Sequence, residues 1–272
     1  MIDLHLHTTA SDGALRPAAL VARAAAAGIT SLSVTDHDTT GGLAEARAEA
    51  ESRRLTFLNG IEITAVEDDR DIHVLGYFFD PSATALREFL DRQREDRVRR
   101  VREISARLDA LGLGIDLSPL IARGVEKGQS VGRAHVAAAL VAGGYVQSWD
   151  EAFKTYLERG RPAFVPRRGA SVEAVVCVIH DAGGVASLAH PGLIGVDPLI
   201  PGFAHSGLDA IEARHSDHSP ETETRYLTLA TAMKLAVSGG SDFHGDAEGR
   251  RCALGTVTIT DHELQRLQAR RR

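Results

Sequence analysis

Residues 5–12 read HLHTTASD and follow directly on a short apolar start. Alternate side chains of a β-strand point to the same face, so His5 and His7 are expected to project together. Asp12 follows in the next turn, where its carboxylate can reach an adjacent ion. Two imidazoles and a carboxylate are suitable ligands for a metal ion. The stretch therefore predicts a strand that ends in a metal site.

Five further apolar segments also end in His, Asp or Glu. Such residues converge when strand ends share one rim of a sheet or barrel, and six ends of this kind predict a pocket of ligands for hydrolytic metals. In the second segment Asp36 and Asp38 flank His37, and one of them is expected to orient its ring. The five segments are TDHD at 35–38, GIE at 60–62, IH at 72–73, AH at 189–190 and SDFH at 241–244.

Short apolar runs alternate with amphipathic helical patterns, which indicates βα units and a mostly parallel sheet. The 272 residues suit one α/β barrel with an elaboration. We expect the polar residues at the carboxyl ends of the strands. Strands are predicted at 2–6, 30–35, 56–63, 71–78, 184–189, 208–212 and 235–238, with a late TVTIT segment at 256–260 that closes or flanks the sheet. Helices are predicted at 16–27, 41–53, 171–182 and 220–233.

Residues 82–168 break this alternation. Apolar residues at helical spacing predict a long helix over 86–111, and further helices are predicted at 133–143 and 149–158. The charge run RQREDRVRR at 92–100 is interpreted as a solvated helix face, in preference to a nucleic-acid patch. We therefore predict a barrel domain of residues 1–81 and 169–272, capped by a helical insertion of residues 82–168.

Composition narrows the class of protein. The net charge is −6 without a long basic block, which argues against duplex DNA as a partner but leaves a small anionic substrate open. No apolar stretch approaches the ~20 residues that a membrane span needs, and Met1 runs directly into the first strand. Cys177 and Cys252 lack metal or redox spacing and are interpreted as reduced core thiols. Together these features predict a cytoplasmic protein, and the oligomeric state stays open.

The ligand types constrain the metal and the substrate. Imidazoles and carboxylates without thiolates suit Mn²⁺, Fe²⁺ or Zn²⁺ and disfavour a structural zinc site. The carboxylates of Asp12, Glu62 and Asp242 offset only half the charge of three divalent ions. The site would therefore stay positive, which favours a phosphate dianion over a neutral amide.

The motifs HLHTTASDG, TDHDT, GIEIT, IHVLGY, AHP and SGGSDFHG together resemble the polymerase-and-histidinol-phosphatase (PHP) family, part of the amidohydrolase superfamily. Within it the chain is most similar to stand-alone bacterial 3′,5′-nucleotide bisphosphatases and short-RNA 5′-exonucleases. The resemblance implies a distorted (β/α)7 barrel with two to three divalent ions, Mn²⁺ first and Mg²⁺ also possible, and a hydroxide bridging two ions as nucleophile. One ion would take His5, His7, Glu62 and Asp242, a second would share Glu62 and take His73 and His190, and a third would take Asp12, His37 and His244.

Two segments of the insertion, SVGRAH at 130–135 and ERGRPAFVP at 158–166, resemble segments that supply phosphate contacts in that subgroup. The resemblance implies that Arg133, His135 and Arg161 contact phosphate, since Arg binds phosphate oxygens in a bidentate manner and a helix start attracts anions. For Arg161 an exposed surface position is an equal alternative.

The sixth predicted strand is followed by two histidines that are expected to face the site. Asp242, His215 and His218 are the candidate catalytic residues of the chain. Whether His215 or His218 acts as a general acid or only binds phosphate is left open by the sequence.

The sequence thus predicts a metal-dependent phosphoesterase that converts a 3′,5′-bisphosphorylated nucleoside to the 5′-monophosphate, with processing of short 5′-phosphorylated RNA on the same geometry. A histidinol-phosphate-type or other small-molecule phosphatase is the alternative. A C–N amidohydrolase is less favoured because no Lys that could be carboxylated ends a strand. A noncatalytic binding module is disfavoured because the ligand set is complete.

Overall fold

The computed structural model describes residues 1–246 and 253–272, so Cys252 lies outside the described residues. Seven strands form one sheet in sequence order that curls into a nearly closed barrel. The predicted distorted seven-stranded α/β barrel is confirmed. The strands are β1 Ile2–Asp3, β2 Ser31–Val34, β3 Thr56–Glu67, β4 Arg70–Tyr77, β5 Val185–Leu188, β6 Ala210–His215 and β7 Ala236–Gly240.

The barrel closes where the segment after β1 runs beside β7. The backbone N–H of Leu4 donates to the carbonyl of Gly239 at 3.3 Å. A Cβ on Gly240 would lie only 2.4 Å from the backbone nitrogen of His5, so this close approach requires glycine. The late TVTIT segment pairs with β1 through a single antiparallel bridge, Ile259 to Ile2, and therefore flanks the sheet.

One strand runs against the others. β3 and β4 form a hairpin whose two turn residues, Asp68 and Asp69, have φ of 48° and 59°, as a two-residue hairpin turn of the primed type requires. β4 is antiparallel to both β3 and β5. The prediction that every site residue lies at a carboxyl strand end is therefore wrong for His73. His73 lies in the first half of β4 and reaches the common rim because that strand is reversed.

Helices cover the outside of the barrel, and several of them begin at residues that favour a helix N-terminus. Ser171 and Ser219 accept backbone N–H donors of the first turn at 3.2 Å, and Pro17 occupies a first-turn position where no N–H is needed. Cys177 lies on the exposed face of its helix, which corrects the prediction of a core thiol. These helices are α1 Pro17–Ala26, α2 Leu43–Ser52, α7 Val172–Asp181, α8 Pro191–Ile194, α9 Ile200–His205, α10 Pro220–Ala232 and α11 Asp261–Gln268.

Five α-helices lie between β4 and β5, and we term the four that precede α7 the inserted helices. The first half of the longest one packs Leu86 and Leu90 into the barrel core, whereas its second half contributes to a separate apolar cluster. Among the described residues no helix combines the length and apolarity that a membrane span needs. The inserted helices are α3 Thr84–Ala110, α4 Ser118–Lys127, α5 Arg133–Ala142 and α6 Trp149–Ala152, which continues as a π-helical turn over Phe153–Leu157.

Candidate metal centre and substrate cavity

Glu62 lies at the centre of the site. It lies in β3, just beyond the residues that pair with β2, and its carbonyl accepts the backbone N–H of Asp38 at 2.8 Å. Its buried carboxylate is surrounded by five histidine rings, each contributed by a different position on the rim. Oε2 lies 2.9 Å from His37 Nδ1, 3.3 Å from His7 Nε2 and 3.5 Å from His5 Nε2, and Oε1 lies 2.7 Å from His73 Nδ1 and 3.0 Å from His190 Nε2.

Two further carboxylates complete the cluster. Asp242 Oδ1 lies 3.1 Å from His7 Nε2 and 3.3 Å from His5 Nε2. Asp12 Oδ1 lies 3.2 Å from His244 Nε2 and 3.8 Å from His37 Nε2. The structure therefore brings together all nine residues that the sequence proposes as metal ligands. Their division among separate ions stays a prediction.

The donor atoms of this cluster fit divalent metal ions. Many of them are buried without a hydrogen-bond partner, which is costly for polar atoms unless another ligand satisfies them. Groups of these nitrogens and oxygens lie within 4.8 Å of one another, and a mixed imidazole–carboxylate set suits Mn²⁺, Fe²⁺ or Zn²⁺. The unpartnered atoms are His5 Nε2, both ring nitrogens of His7, His37 Nδ1, Glu62 Oε2, His73 Nδ1, His190 Nδ1 and Asp242 Oδ1.

The charges of the cluster favour cations. Burial opposes protonation of His7, but the nearby carboxylates of Asp242 and Glu62 outweigh it and raise the His7 pKa to about 10. Burial also opposes ionisation of Glu62, yet the surrounding histidines, led by His37, hold its pKa well below the ordinary value. The negative potential that attracts protons in this way is also the potential that attracts metal ions, since the two compete for the same atoms.

Backbone strain is concentrated at the site. His190, Asp242 and Asp38 have φ of 27°, 52° and 49°, in the left-handed region that residues other than glycine rarely adopt. Such conformations persist where the surrounding structure fixes them, often at functional sites. His190 and Asp242 are themselves proposed ligands, and Asp38 directly follows the proposed ligand His37.

Glu212 contacts the proposed ligand His5, and the sequence predictions did not include it. It is fully buried on β6. Its Oε1 lies 2.9 Å from His5 Nδ1, and its Oε2 accepts the backbone N–H of His190 at 2.8 Å. Glu212 therefore fixes His5 with Nε2 facing the cluster, the role that carboxylates play behind metal-binding histidines. The predicted sixth strand ended at this residue, so the strand-end rule could have found it.

We expect Glu212→Gln to lower metal affinity or activity by about 10- to 100-fold, because His5 loses the carboxylate that orients its ring and strengthens its basicity. Metal titration of the purified variant, followed by phosphate release, measures both effects. Glu221→Gln on the exposed start of α10 is the matched control. Unchanged metal affinity and activity in Glu212→Gln would show that the contact with His5 has no role in the site.

Asp36 and Asp38 do not orient His37 as predicted, because their carboxylates have other partners. Asp36 Oδ1 accepts the Thr8 backbone N–H at 2.8 Å and the Ser11 hydroxyl at 2.6 Å, and so holds the loop of residues 8–12. Asp38 Oδ1 accepts the backbone N–H of Thr64 at 2.9 Å, while its Oδ2 binds two arginines.

These arginines belong to a group of four that we term the arginine cluster. Asp38 Oδ2 lies 2.6 Å from Arg97 Nε and 2.7 Å from Arg167 Nη2. Asp71 Oδ2 lies 3.0 Å from Arg100 Nη1 and 2.9 Å from Arg133 Nη2. Four guanidinium groups thus share two carboxylates, which leaves two positive charges in excess. The cluster comprises Arg97, Arg100, Arg133 and Arg167.

The excess charge is largely buried. Arg100 and Arg167 are buried, and Arg100 Nη2 and Arg167 Nε have no hydrogen-bond partner. Burial lowers the pKa of Arg100 to about 10 against the opposing effect of Asp71, so the guanidinium stays charged at neutral pH. Buried cations in excess of their carboxylates are unfavourable unless an anion compensates them. The arrangement is therefore suited to bind phosphate, whose oxygens match the guanidinium fork.

Three of these arginines were missed by the sequence predictions. Arg97 and Arg100 belong to the charge run on α3 that was interpreted as a solvated face, and this interpretation is wrong for both. Val98 and Val101 lie on the buried side of α3, and Arg97 and Arg100 each precede one of them. The apolar periodicity of α3 marks its buried face, but it does not show which neighbouring arginines meet a carboxylate.

The predicted phosphate contacts lie in different places. Arg133 lines the cavity, and so does His135. His135 Nδ1 accepts the backbone N–H of Gly132 at 3.2 Å and Nε2 lies 2.8 Å from the Ser11 carbonyl, so both ring nitrogens are used by the backbone. Arg161 lies in the exposed turn after the π-helical residues, outside the lining of the cavity. Its predicted phosphate contact has no support from this geometry.

The two candidate histidines after β6 also have partners within the protein. His215 Nδ1 accepts the Asp217 backbone N–H at 3.1 Å, which leaves Nε2–H to face Asp242 Oδ2 at 3.4 Å. His218 Nδ1 donates to the carbonyl of Ala213 at 2.9 Å, and its Nε2 accepts the Gly192 N–H at 3.3 Å. The geometry makes His215 a positioning residue for Asp242. His218 bridges two loops through its two ring nitrogens. A general-acid role for His215 or His218 stays a prediction.

The metal centre and the arginine cluster open into one cavity of about 730 Å³. This volume is within the range of small-molecule sites. The cavity reaches His37, His73 and Asp242 at one end and the inserted helices at the other. Asp71 and His73 alternate on β4 and point to the same face, which joins the two ends directly.

Comparison with known proteins decides the family. Residues 3–109 match the PHP domain model. A 3′,5′-nucleoside bisphosphate phosphatase of Chromobacterium violaceum is 38% identical over 255 residues, covering 92% of this chain and 89% of that protein. The chain belongs to the PHP domain family. The resemblance of its motifs to PHP proteins is therefore confirmed.

Two further PHP relatives extend the similarity. The 5′-3′ exoribonuclease Rnm of Escherichia coli is 39% identical over 249 residues, covering 89% of this chain and 84% of that protein. The crystal structure of a candidate metal-dependent phosphoesterase from Bifidobacterium adolescentis superposes with a TM-score of 0.90 at 32% identity, covering 100% of this chain and 96% of that one. The PHP barrel and the inserted helices are thus matched over their full length.

Proposed function

We propose that this PHP protein is a metal-dependent phosphatase that removes the 3′-phosphate from 3′,5′-bisphosphorylated nucleosides. The chain is a hydrolase of phosphoric ester bonds, as the family and its named relatives establish. The observation that carries the finer assignment is the two-ended cavity. One end holds the metal-type ligands around Glu62, and the other holds four arginines with only two carboxylates.

A substrate with two phosphates matches both ends. The reacting phosphate would lie at the Glu62 end, and the arginine cluster would bind the phosphate that is not hydrolysed. Arg100 Nη2 and Arg167 Nε carry N–H donors without a protein partner that would bind phosphate oxygens, and the carboxylates of Asp38 and Asp71 hold the guanidiniums in place before the substrate arrives. Binding energy from the remote phosphate can then position the reacting one.

The ions would be held by the nine ligands around Glu62, and we propose two to three divalent ions with Mn²⁺ preferred. When bound, they neutralise phosphate oxygens and lower the pKa of water. Other residues of the protein hold the proposed ligands in position. Glu212 fixes His5, His215 holds Asp242 Oδ2, and Asp36 fixes the loop that carries Asp12.

Short RNA with a 5′-phosphate is the second candidate substrate, because it offers the same pairing of a remote phosphate with a reacting ester. The relative in Escherichia coli is named a 5′-3′ exoribonuclease. Histidinol phosphate carries a single phosphate and would leave the arginine cluster without a ligand. It is therefore the less suitable substrate for this cavity.

The proposal is tested by phosphate release from 3′-phosphoadenosine 5′-phosphate in the presence of Mn²⁺. We expect adenosine 5′-monophosphate and inorganic phosphate as products, at a kcat/KM well above that for histidinol phosphate. Turnover of histidinol phosphate without release from the nucleotide would overturn the substrate assignment. Release of the 5′-phosphate instead would reverse the proposed orientation.

A further inference from the structure

Two aromatic side chains form part of the cavity wall beyond the arginine cluster. Trp149 and Phe153 both line the cavity, and their rings lie 4.2 Å apart between centroids. Both side chains are half-buried and lie at the edge of the apolar cluster of the inserted helices. The cavity wall therefore combines an aromatic pair with charged residues that would bind phosphate.

The aromatic pair is linked directly to the arginine cluster. The Arg133 guanidinium carbon lies 5.6 Å from the centroid of the Phe153 ring, and Arg133 Nη2 lies 2.9 Å from Asp71. A phosphate bound by Arg133 would therefore place its attached sugar and base beside the ring of Phe153. Phe153 also begins the π-helical turn, a local irregularity that often marks functional positions.

We propose that Trp149 and Phe153 form a nucleobase subsite. The inference rests on the proposed function and identifies what distinguishes a nucleotide from other phosphorylated substrates in this cavity. Aromatic rings stack on any base, since every base presents a π-face. The subsite would favour nucleotides over base-free sugar phosphates and would accept different bases without hydrogen-bond recognition.

The sequence provides a direct probe, since Trp149 is the sole tryptophan of the chain. The purified full-length protein is titrated with adenosine 5′-monophosphate, the proposed product, and separately with ribose 5-phosphate, while tryptophan fluorescence is recorded. We expect the nucleotide to quench the fluorescence and to bind about tenfold or more tightly than the sugar phosphate. Ribose 5-phosphate should bind without comparable quenching.

Calorimetric titration of Trp149→Ala tests the same inference without the fluorophore. The variant should lose most of the difference between the two ligands, while its affinity for ribose 5-phosphate stays near that of the wild-type protein. Tyr145→Ala removes an exposed aromatic side chain of the same region that does not line the cavity, and should retain the difference.

Two results would overturn the subsite. One is equal affinity of the wild-type protein for the two ligands, and the other is an equal loss for both ligands in Trp149→Ala. The first of these, together with normal phosphate release from 3′-phosphoadenosine 5′-phosphate, would leave the proposed function intact. Base-dependent binding without any release from that bisphosphate would instead retain the subsite and overturn the proposed reaction.

Discussion

Glu62→Gln is expected to reduce phosphate release by about a thousandfold or more, since several kcal/mol of transition-state stabilisation would depend on the metals that we propose this carboxylate holds. The change removes one negative charge while the side-chain volume stays the same. Five histidine rings lose their common carboxylate, so metal content should fall with activity. Elemental analysis and phosphate release on one protein preparation measure the two effects together.

The control for this change is Glu51→Gln, which alters an exposed glutamate on α2 by the same chemistry. It should leave metal content and activity unchanged. Circular dichroism should show that both variants retain the fold, because Glu62 is a proposed ligand and makes no apolar core contact. Full activity of Glu62→Gln at wild-type metal content would contradict the site.

Arg133→Ala is expected to raise the KM for a bisphosphorylated nucleoside by about a hundredfold, the effect of losing a charge-assisted bidentate contact of up to ~3 kcal/mol. Metal content should not change, because Arg133 contacts Asp71 and no proposed metal ligand. Asp71 keeps Arg100 as its partner at 3.0 Å, so the variant does not leave a buried carboxylate unpaired. Steady-state kinetics with elemental analysis separates the two effects.

Arg161→Ala supplies the matched comparison, because the sequence proposed the same role for both arginines. The structure places Arg161 in an exposed turn outside the cavity, so its KM should stay within about twofold of wild type, as surface substitutions generally do. An equal rise in KM for both variants would show that a phosphate reaches the turn of residues 158–161. A fall in metal content in Arg133→Ala would mean that the arginine supports the metal site.

The convergence of the nine proposed ligands could be predicted from the sequence because its signals are local. Strand alternation predicts that the rings of His5 and His7 share one face, and both rings reach Glu62 although β1 ends at Asp3, before this pair. Strand order then brings distant segments to one rim, as in any barrel. The reversal of β4 was missed because its turn, Asp68–Asp69, lacks the glycine that most often marks a two-residue hairpin. His73 was nevertheless proposed as a ligand, because histidine is a ligand type and the strand that contains it was predicted.

The arginine cluster could not be predicted in the same way. A charge run on a helix does not show which of its residues turn inward, and that depends on where Asp38 and Asp71 lie in the folded barrel. Arg167 follows the inserted helices and meets Asp38 across 129 residues of sequence. Long-range ion pairs of this kind leave no periodic pattern. The family resemblance identified Arg133 alone among the four.

The proposed metal dependence is tested most directly by adding Mn²⁺ back to metal-free protein and measuring phosphate release from 3′-phosphoadenosine 5′-phosphate. Chelation should abolish release, and Mn²⁺ should restore it in wild-type protein and not in Glu62→Gln, because we propose that the residues around Glu62 hold the ions on which hydrolysis depends. Undiminished release by the metal-free protein would contradict the central claim. So would equal restoration of Glu62→Gln.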